Sequence, residues 1–226
     1  SSDLFGGPYE DWGIMDDNWH SEIKEVPIIA AVGANGDYLE RAKELVSKGA
    51  NIILIDVAHG HHKNVKDAIQ KIKSISERID VIAGNIATAE AALDLESWGA
   101  DGLRVGVGGG SLCTTRVKTG FGVPNVSCLQ EIVGASKVPV MADGGIRSSG
   151  DIAKALALGS STVMLGSLIA GTEESPGKVV EKSTGLYKRY RGAASLETKM
   201  VHGQAERNVD RKSTRLNSSH VALSRM

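Results

Sequence analysis

From residue 27 onward, short apolar runs alternate with amphipathic stretches. The runs are Ile28 to Val32, Ile52 to Val57, Val81 to Gly84, Gly102 to Val107, Val138 to Ala142 and Thr162 to Leu165. They are short, nearly continuous and rich in β-branched residues, which predicts strands buried on both faces, as in a parallel sheet. Between them, apolar residues recur at helical spacing over Tyr38 to Ser47, Val65 to Ile75, Ala89 to Trp98, Val126 to Val133 and Ser149 to Leu158. Lys48-Gly49-Ala50, Trp98-Gly99-Ala100 and Leu158-Gly159-Ser160 each follow a helical stretch and precede a strand. Glycine at that place is the usual C-terminal cap of a helix.

This alternation predicts an α/β fold, a (β/α)8 TIM barrel with about six βα units present and truncated at both ends. A closed barrel of this kind has eight strands. Residues 1–25 are polar, contain Trp12 and Trp19 among several aspartates, and carry no strand pattern. They are read as a remnant of an upstream segment or a linker. The barrel is assigned to residues 26–210. Residues 211–226 show no clear periodicity and are read as a non-native tail, outside the fold.

Bulk properties narrow the function. At 226 residues the chain fits one domain, and 41% hydrophobic with 23% charged residues is ordinary for a globular protein. A net charge of −1 gives no electrostatic basis for binding nucleic acid or an anionic membrane. No apolar run approaches a membrane span and no signal peptide is visible. Two cysteines, Cys113 and Cys128, make no disulfide framework, so a reducing, cytoplasmic setting is expected. Cys128 falls in a helical pattern and is assigned to the core.

The chemistry concentrates where the strands end. Gly106-Val-Gly-Gly-Gly-Ser-Leu-Cys-Thr-Thr-Arg116 places Cys113 in a glycine-rich loop directly after an apolar strand. Glycines let backbone N–H groups approach an anion, and a cysteine held beside them attacks an electrophilic carbon once it is a thiolate. Arg116 and nearby amide dipoles are expected to favour that thiolate. Asp143-Gly144-Gly145 follows another buried strand, and Gly166-Ser167 the next one. A carboxylate at a strand's end can accept both ribose hydroxyls, and the glycines admit a phosphate. Asp56, Asn85 and Arg104 end three further strands, where capping is the alternative role. His59, His61 and His62 suggest a metal cluster, but no carboxylate or cysteine accompanies them, so they are assigned to shaping their loop. Glu173 and Glu174 either meet a ligand or are solvated; both readings stay open.

These motifs resemble the IMP dehydrogenase / GMP reductase family. Gly109-Gly-Ser-Leu-Cys-Thr-Thr-Arg116, Gly120-Phe-Gly-Val-Pro124, Ala142-Asp-Gly-Gly-Ile-Arg147, Met164-Leu-Gly-Ser167, Gly171-Thr-Glu-Glu-Ser-Pro-Gly177 and Tyr190-Arg-Gly192 carry the likeness in order. Ile55-Asp-Val-Ala-His-Gly-His61 and Ala83-Gly-Asn-Ile-Ala-Thr88 extend it upstream. The resemblance implies that Cys113 attacks C2 of a purine nucleotide monophosphate, with Thr115 helping to activate water or a leaving amine. It implies that Ser111, Asp143, Gly144, Gly145, Gly166, Ser167 and Tyr190 bind the nucleotide. It places the nicotinamide ribose of NAD (or NADP) against Asp56, Asn85 and Arg104. It also implies a K+ ion on the carbonyls of Gly108, Gly110 and Cys113, and a homotetramer at full length.

Two reactions fit that resemblance. A dehydrogenase oxidises IMP with NAD and water to XMP; a reductase converts GMP and NADPH to IMP and ammonia. Arg207 is followed by Asn208 rather than the tyrosine of a dehydrogenase flap, and Leu196 stands where a reductase has its glutamate, with Glu197 adjacent. The expectation is the dehydrogenase, with the reductase as alternative. A flavin (FMN)-dependent 2-hydroxy-acid oxidase also carries an Asp-Gly-Gly-x-Arg segment, but it uses a histidine and not a loop cysteine. An inactive fragment with exposed sheet edges is the remaining alternative.

Overall fold

The structure, a computed structural model, describes residues 27–175, 179–183, 185–191 and 218–222. The expectations on residues 1–25, on Gly192, Leu196, Glu197 and Arg207, and on most of the tail lie outside these residues.

Six parallel strands lie side by side in chain order: β1 (Ile29–Val32), β2 (Ile52–Asp56), β3 (Asp80–Ile86), β4 (Gly102–Val105), β5 (Val140–Asp143) and β6 (Thr162–Met164). Sequential parallel order with helical crossovers is the arrangement of a (β/α)8 barrel wall. The connecting helices are α1 (Tyr38–Ser47), α2 (Lys63–Lys73), α3 (Ala89–Ser97), the short α4 (Thr115–Thr119), α5 (Asn125–Ala135) and α6 (Ser149–Ala157). The three repeated glycines do cap helices: Gly49, Gly99 and Gly159 all have positive φ, between 95° and 103°. The next residue then closes the turn, as in Ala100 N–H to the Leu95 carbonyl at 3.1 Å.

Most element boundaries shift by a residue or two from the patterning, and two departures have a local cause. Helix α2 begins at Lys63, ahead of the expected Val65, because His62 is its cap: Nδ1 accepts the Asn64 N–H at 3.1 Å. Helix α4 lies in a segment with too few apolar residues to show a period, and none of its residues is buried.

Strand residues alternate between two environments. Ile53, Ile55, Val81, Ala83, Leu103, Val105, Val140 and Ala142 join one core with Val65, Ile69, Ile72, Leu95 and Ile132 of the helices. The intervening positions face the other way. At the N-terminal ends of the strands that second face is apolar, with Ile29, Ile52, Ile82 and Met141 lining a cavity of about 490 Å³. Towards the C-terminal ends it turns polar, at Asp56, Asn85, Arg104 and Asp143.

The described residues divide into two compact units, residues 27–109 with 115–165, and residues 110–114 with the described residues from 166 onward. The first holds the parallel sheet. In the second, β7 (Val179–Lys182), β8 (Gly185–Arg191) and β9 (Ser218–Ala222) form an antiparallel sheet in that order. The tail, assigned no element by its pattern, thus supplies β9, which pairs along β8 from Tyr187↔Ala222 to Arg191↔Ser218. The outer edge of a hairpin offers unpaired N–H and C=O groups that any extended segment can fill.

Gly84 governs the middle of the sheet. A Cβ there would collide with the Arg104 carbonyl and lie 2.7 Å from the Arg104 Cβ. Gly84→Ala is expected to lower stability by about 2–3 kcal/mol, the usual cost of overpacking. Urea unfolding measures this, and an unchanged midpoint would contradict the packing described.

Candidate functional site

Four side chains from four neighbouring strands meet in the parallel sheet. Arg104 on β4 reaches across β3 to Asp56 on β2, with Nη1 2.8 Å from Oδ1. This is a charge contact without aligned hydrogen-bond geometry, since Nη1 counts no hydrogen-bond partner. On the other side the same guanidinium donates to Asp143 on β5, with Nη2 at 3.0 Å and Nε at 3.1 Å from Oδ2. Asn85 joins them, its Nδ2 donating to Asp143 Oδ2 at 2.7 Å and to the Gly106 carbonyl at 2.7 Å.

Local backbone explains why these groups converge. Opposite β4, the register of β3 shifts between Gly84 and Ile86, so Asn85 is an extra residue in the ladder. A bulge of this kind re-aims a side chain. The Gly84–Asn85 peptide bond is cis. Gly84, lacking a side chain, leaves the surface of β3 open beneath the Arg104 side chain.

All three donors to the Asp143 carboxylate use Oδ2. None of them uses Oδ1. Asn85 Oδ1 is buried with no hydrogen-bond partner among the described residues. Leaving such a group unmet costs roughly 1–3 kcal/mol. Beyond Asp143 the chain turns through Gly144 (φ 91°) and Gly145 (φ 78°) into α6. Ser148 caps that helix, its Oγ accepting the Asp151 N–H. The Asp151 carboxyl is held below its ordinary range by the Arg147 N–H and the Ser148 hydroxyl.

Arg116 is engaged with backbone carbonyls of its own unit. Its Nη2 donates to the carbonyls of Val107 at 3.2 Å and Val123 at 2.9 Å. The stem packs on Gly108 and Gly122, where a Cβ would stand 2.5 Å from it. The guanidinium thus braces the segment after β4. Thr115 opens α4.

Residues 110–114 belong to the second unit together with the chain from Gly166 onward. Within that unit Cys113 is exposed. Its N–H donates to the Gly110 carbonyl at 3.1 Å, a tight turn that also carries the exposed Ser111. Tyr190 on β8 brings its hydroxyl over Gly166: a methyl added there would lie 2.9 Å from Oη. Gly166 accepts the N–H groups of Ile169 and Ala170 at 3.2 and 3.1 Å, and Ser167 is half-buried beside it. Glu174 is turned into its own loop, its carboxyl lowered by its own N–H and by the Thr172 hydroxyl.

Two of the loop histidines are engaged by other groups. His61 Nε2 is 2.8 Å from Asp94 Oδ2 and its ring lies beside Trp98, while His62 caps α2. Among the described residues no three His, Cys, Asp or Glu side chains group as a metal site.

Two residues of consequence escaped the sequence reading. Lys188 is buried, and its Nζ donates to the carbonyls of Thr172, Glu173 and Ser175 at 2.7, 3.1 and 2.5 Å. In the sequence it sits inside the basic run Lys188-Arg189-Tyr190-Arg191, which reads as a solvated face. Asn125 donates to the Asp143 and Gly144 carbonyls. Its place directly after Gly122-Val-Pro124 was the available signal.

Comparison with known proteins follows the same lines. A family model described as the IMP dehydrogenase / GMP reductase domain matches residues 16–222. The chain is 49% identical over 178 residues to inosine-5'-monophosphate dehydrogenase of Aquifex aeolicus (strain VF5), covering 77% of the chain and 36% of that relative. It is 45% identical over 186 residues to GMP reductase of Leishmania major, covering 80% and 38%. A crystal structure of a GMP reductase variant from Trypanosoma brucei in complex with guanosine 5'-monophosphate superposes with a TM-score of 0.80 at 40% identity, covering 88% of this chain and 42% of that one. The chain thus spans little more than a third of the length of the curated relatives it matches.

The two thiols should react differently. Cys113 is exposed, whereas Cys128 is buried, and burial followed by the nearby Glu131 charge pushes its thiol up. Iodoacetamide on the folded protein is expected to alkylate one cysteine, and Cys113→Ser to abolish that labelling until denaturant is added. Mass spectrometry after digestion reads the site; modification of Cys128 in the folded protein would contradict the assignment.

Proposed function

The chain belongs to the IMP dehydrogenase / GMP reductase family, and on that premise we propose that it is a purine nucleotide oxidoreductase acting at C2 of the base through Cys113. The observation that carries this reading is the Asp143 carboxylate, fixed through one oxygen by Arg104 and Asn85 with the other oxygen left for a ligand. Asp143 Oδ1 accepts the ribose hydroxyls of a nucleotide monophosphate. Gly144, Gly145, Gly166, Ser111 and Ser167 supply phosphate donors, and the Tyr190 hydroxyl adds one more.

Asp56, Asn85 and Arg104 hold the nicotinamide ribose, and the unpartnered Asn85 Oδ1 suits a donor on that ligand. Bound there, NAD (or NADP) supplies the acceptor for a hydride leaving C2, and its reduced form supplies the donor for the reverse type of step. A K+ ion would be held by the carbonyls of Gly108, Gly110 and Cys113 and would order the Cys113 loop. Gly110 suits this, because its carbonyl accepts one N–H and keeps a second lone pair.

In the dehydrogenase direction the Cys113 sulfur bonds to C2 of IMP and a hydride departs. Water then replaces sulfur at C2, assisted by Thr115, so that IMP, NAD and water give XMP, NADH and a proton. The second reading is the reductase, in which Cys113 displaces ammonia from C2 of GMP and a hydride from NADPH replaces sulfur. The reductase relatives favour keeping it. The same premise takes the protein to be cytoplasmic and, at full length, a homotetramer.

Absorbance of the reduced nicotinamide distinguishes the two. IMP with NAD is expected to give a rise, which Cys113→Ala reduces at least about a thousandfold. A fall with GMP and NADPH instead would establish the reductase. Turnover that survives in Cys113→Ala would contradict the covalent mechanism.

A further inference from the structure

We infer that Asn125 is a positioning residue that locks the loop after β5 against the loop after β4 and thereby sets where Asp143 meets its ligand, an inference that rests on the nucleotide-site reading above. Asn125 is the first residue of α5, directly after Pro124, the non-helical N-cap residue (φ −57°, ψ 130°). An asparagine near a helix start commonly bonds backbone amides of its own helix. Here it makes no cap; Nδ2 points away and donates to the carbonyls of Asp143 at 3.2 Å and Gly144 at 2.5 Å. Those two carbonyls bracket the place where the chain leaves β5 and enters its positive-φ turn.

The other flank of the amide rests on the β4 loop. A Cβ at Gly109 would lie 2.8 Å from Nδ2 and 3.0 Å from Oδ1, and one at Gly106 would collide with the Asp143 carbonyl. Only glycines let the two loops approach this closely, and the Asn125 amide fills the wedge between them. Its orientation is forced: both neighbours are acceptors, so Nδ2 faces them and Oδ1 is left buried without a partner. A side chain kept for packing alone would not need a polar end here. The two donated bonds give the amide its purpose.

Titration of IMP into the full chain tests this, with Asp143→Asn, Asn125→Ala, Asn125→Asp and the double variant Asn125→Asp with Asp143→Asn, each checked for folding by circular dichroism. Asp143→Asn turns an amide nitrogen towards the ligand and is expected to weaken binding about tenfold or more. Asn125→Ala and the near-isosteric Asn125→Asp, which keeps the volume but cannot donate, are each expected to weaken it about tenfold. The double variant should bind no more weakly than Asp143→Asn alone, since both changes act on one contact. Asn125→Asp binding within about twofold of wild type, or multiplicative losses in the double variant, would overturn the inference while leaving the nucleotide site standing. If Asp143→Asn itself leaves IMP affinity unchanged, the nucleotide-site reading fails, and this inference with it.

Discussion

The parallel sheet is organised around one cation. Arg104 stands on the middle of the sheet's polar end and holds two carboxylates, Asp56 two strands away and Asp143 on the next strand. It is only 12% exposed, so its charge requires compensation, and each carboxylate supplies part of it. Other features follow from this geometry. Gly84 must lack a side chain for Arg104 to lie where it does. Asn85 must bulge out of β3 to share Asp143 with it. Ion pairs of this kind add little net stability once desolvation is counted. Their contribution is positional: Asp143 is held through one oxygen and presents the other.

The two faces of the sheet thus differ in character. The face towards the helices is a continuous packed core of Ile, Val, Leu and Ala with no charged residue. The opposite face grades from an apolar cavity at the strand starts to the Asp56, Asn85, Arg104 and Asp143 network at their ends. Beyond the network lie loops of glycine, whose positive-φ positions Gly106, Gly108, Gly144 and Gly145 let backbones approach closely. Each loop is then braced by a long polar side chain that donates to its carbonyls: Arg116 after β4, Asn125 after β5, and Lys188 for the turn after β6. Turns stiffened by side-chain donors recur in this chain.

Much of this was legible in the sequence. The six strands and the helices from Tyr38, Ala89 and Ser149 follow from apolar runs, amphipathic spacing and the three capping glycines, because each signal is local. Asp56, Asn85, Arg104 and Asp143 could be placed at strand ends for the same reason. Their mutual contacts could not, since the residues lie up to 87 positions apart and the reach of Arg104 over Gly84 depends on sheet register. The contacts of Arg116 with the carbonyls of Val107 and Val123 depend on how the loop folds back and have no local signal. Lys188 was hidden because nothing local distinguishes a lysine that donates to distant carbonyls, and Asn125 had only its place after Pro124 to mark it. Strand β9 rests on pairing with an edge, which no periodicity within five residues could announce.

The most direct test of this account is the behaviour of Arg104→Met, which keeps the length and apolar stem of the side chain but removes the charge. Urea unfolding and IMP titration are measured side by side. The account predicts a stability loss of about 2 kcal/mol, between that of exposed and fully buried ion pairs, together with loss of nucleotide affinity as Asp56 and Asp143 are left facing each other uncompensated. Unchanged IMP affinity in a folded Arg104→Met protein would contradict it, and would mean that Asp143 is positioned without the cation between the strands.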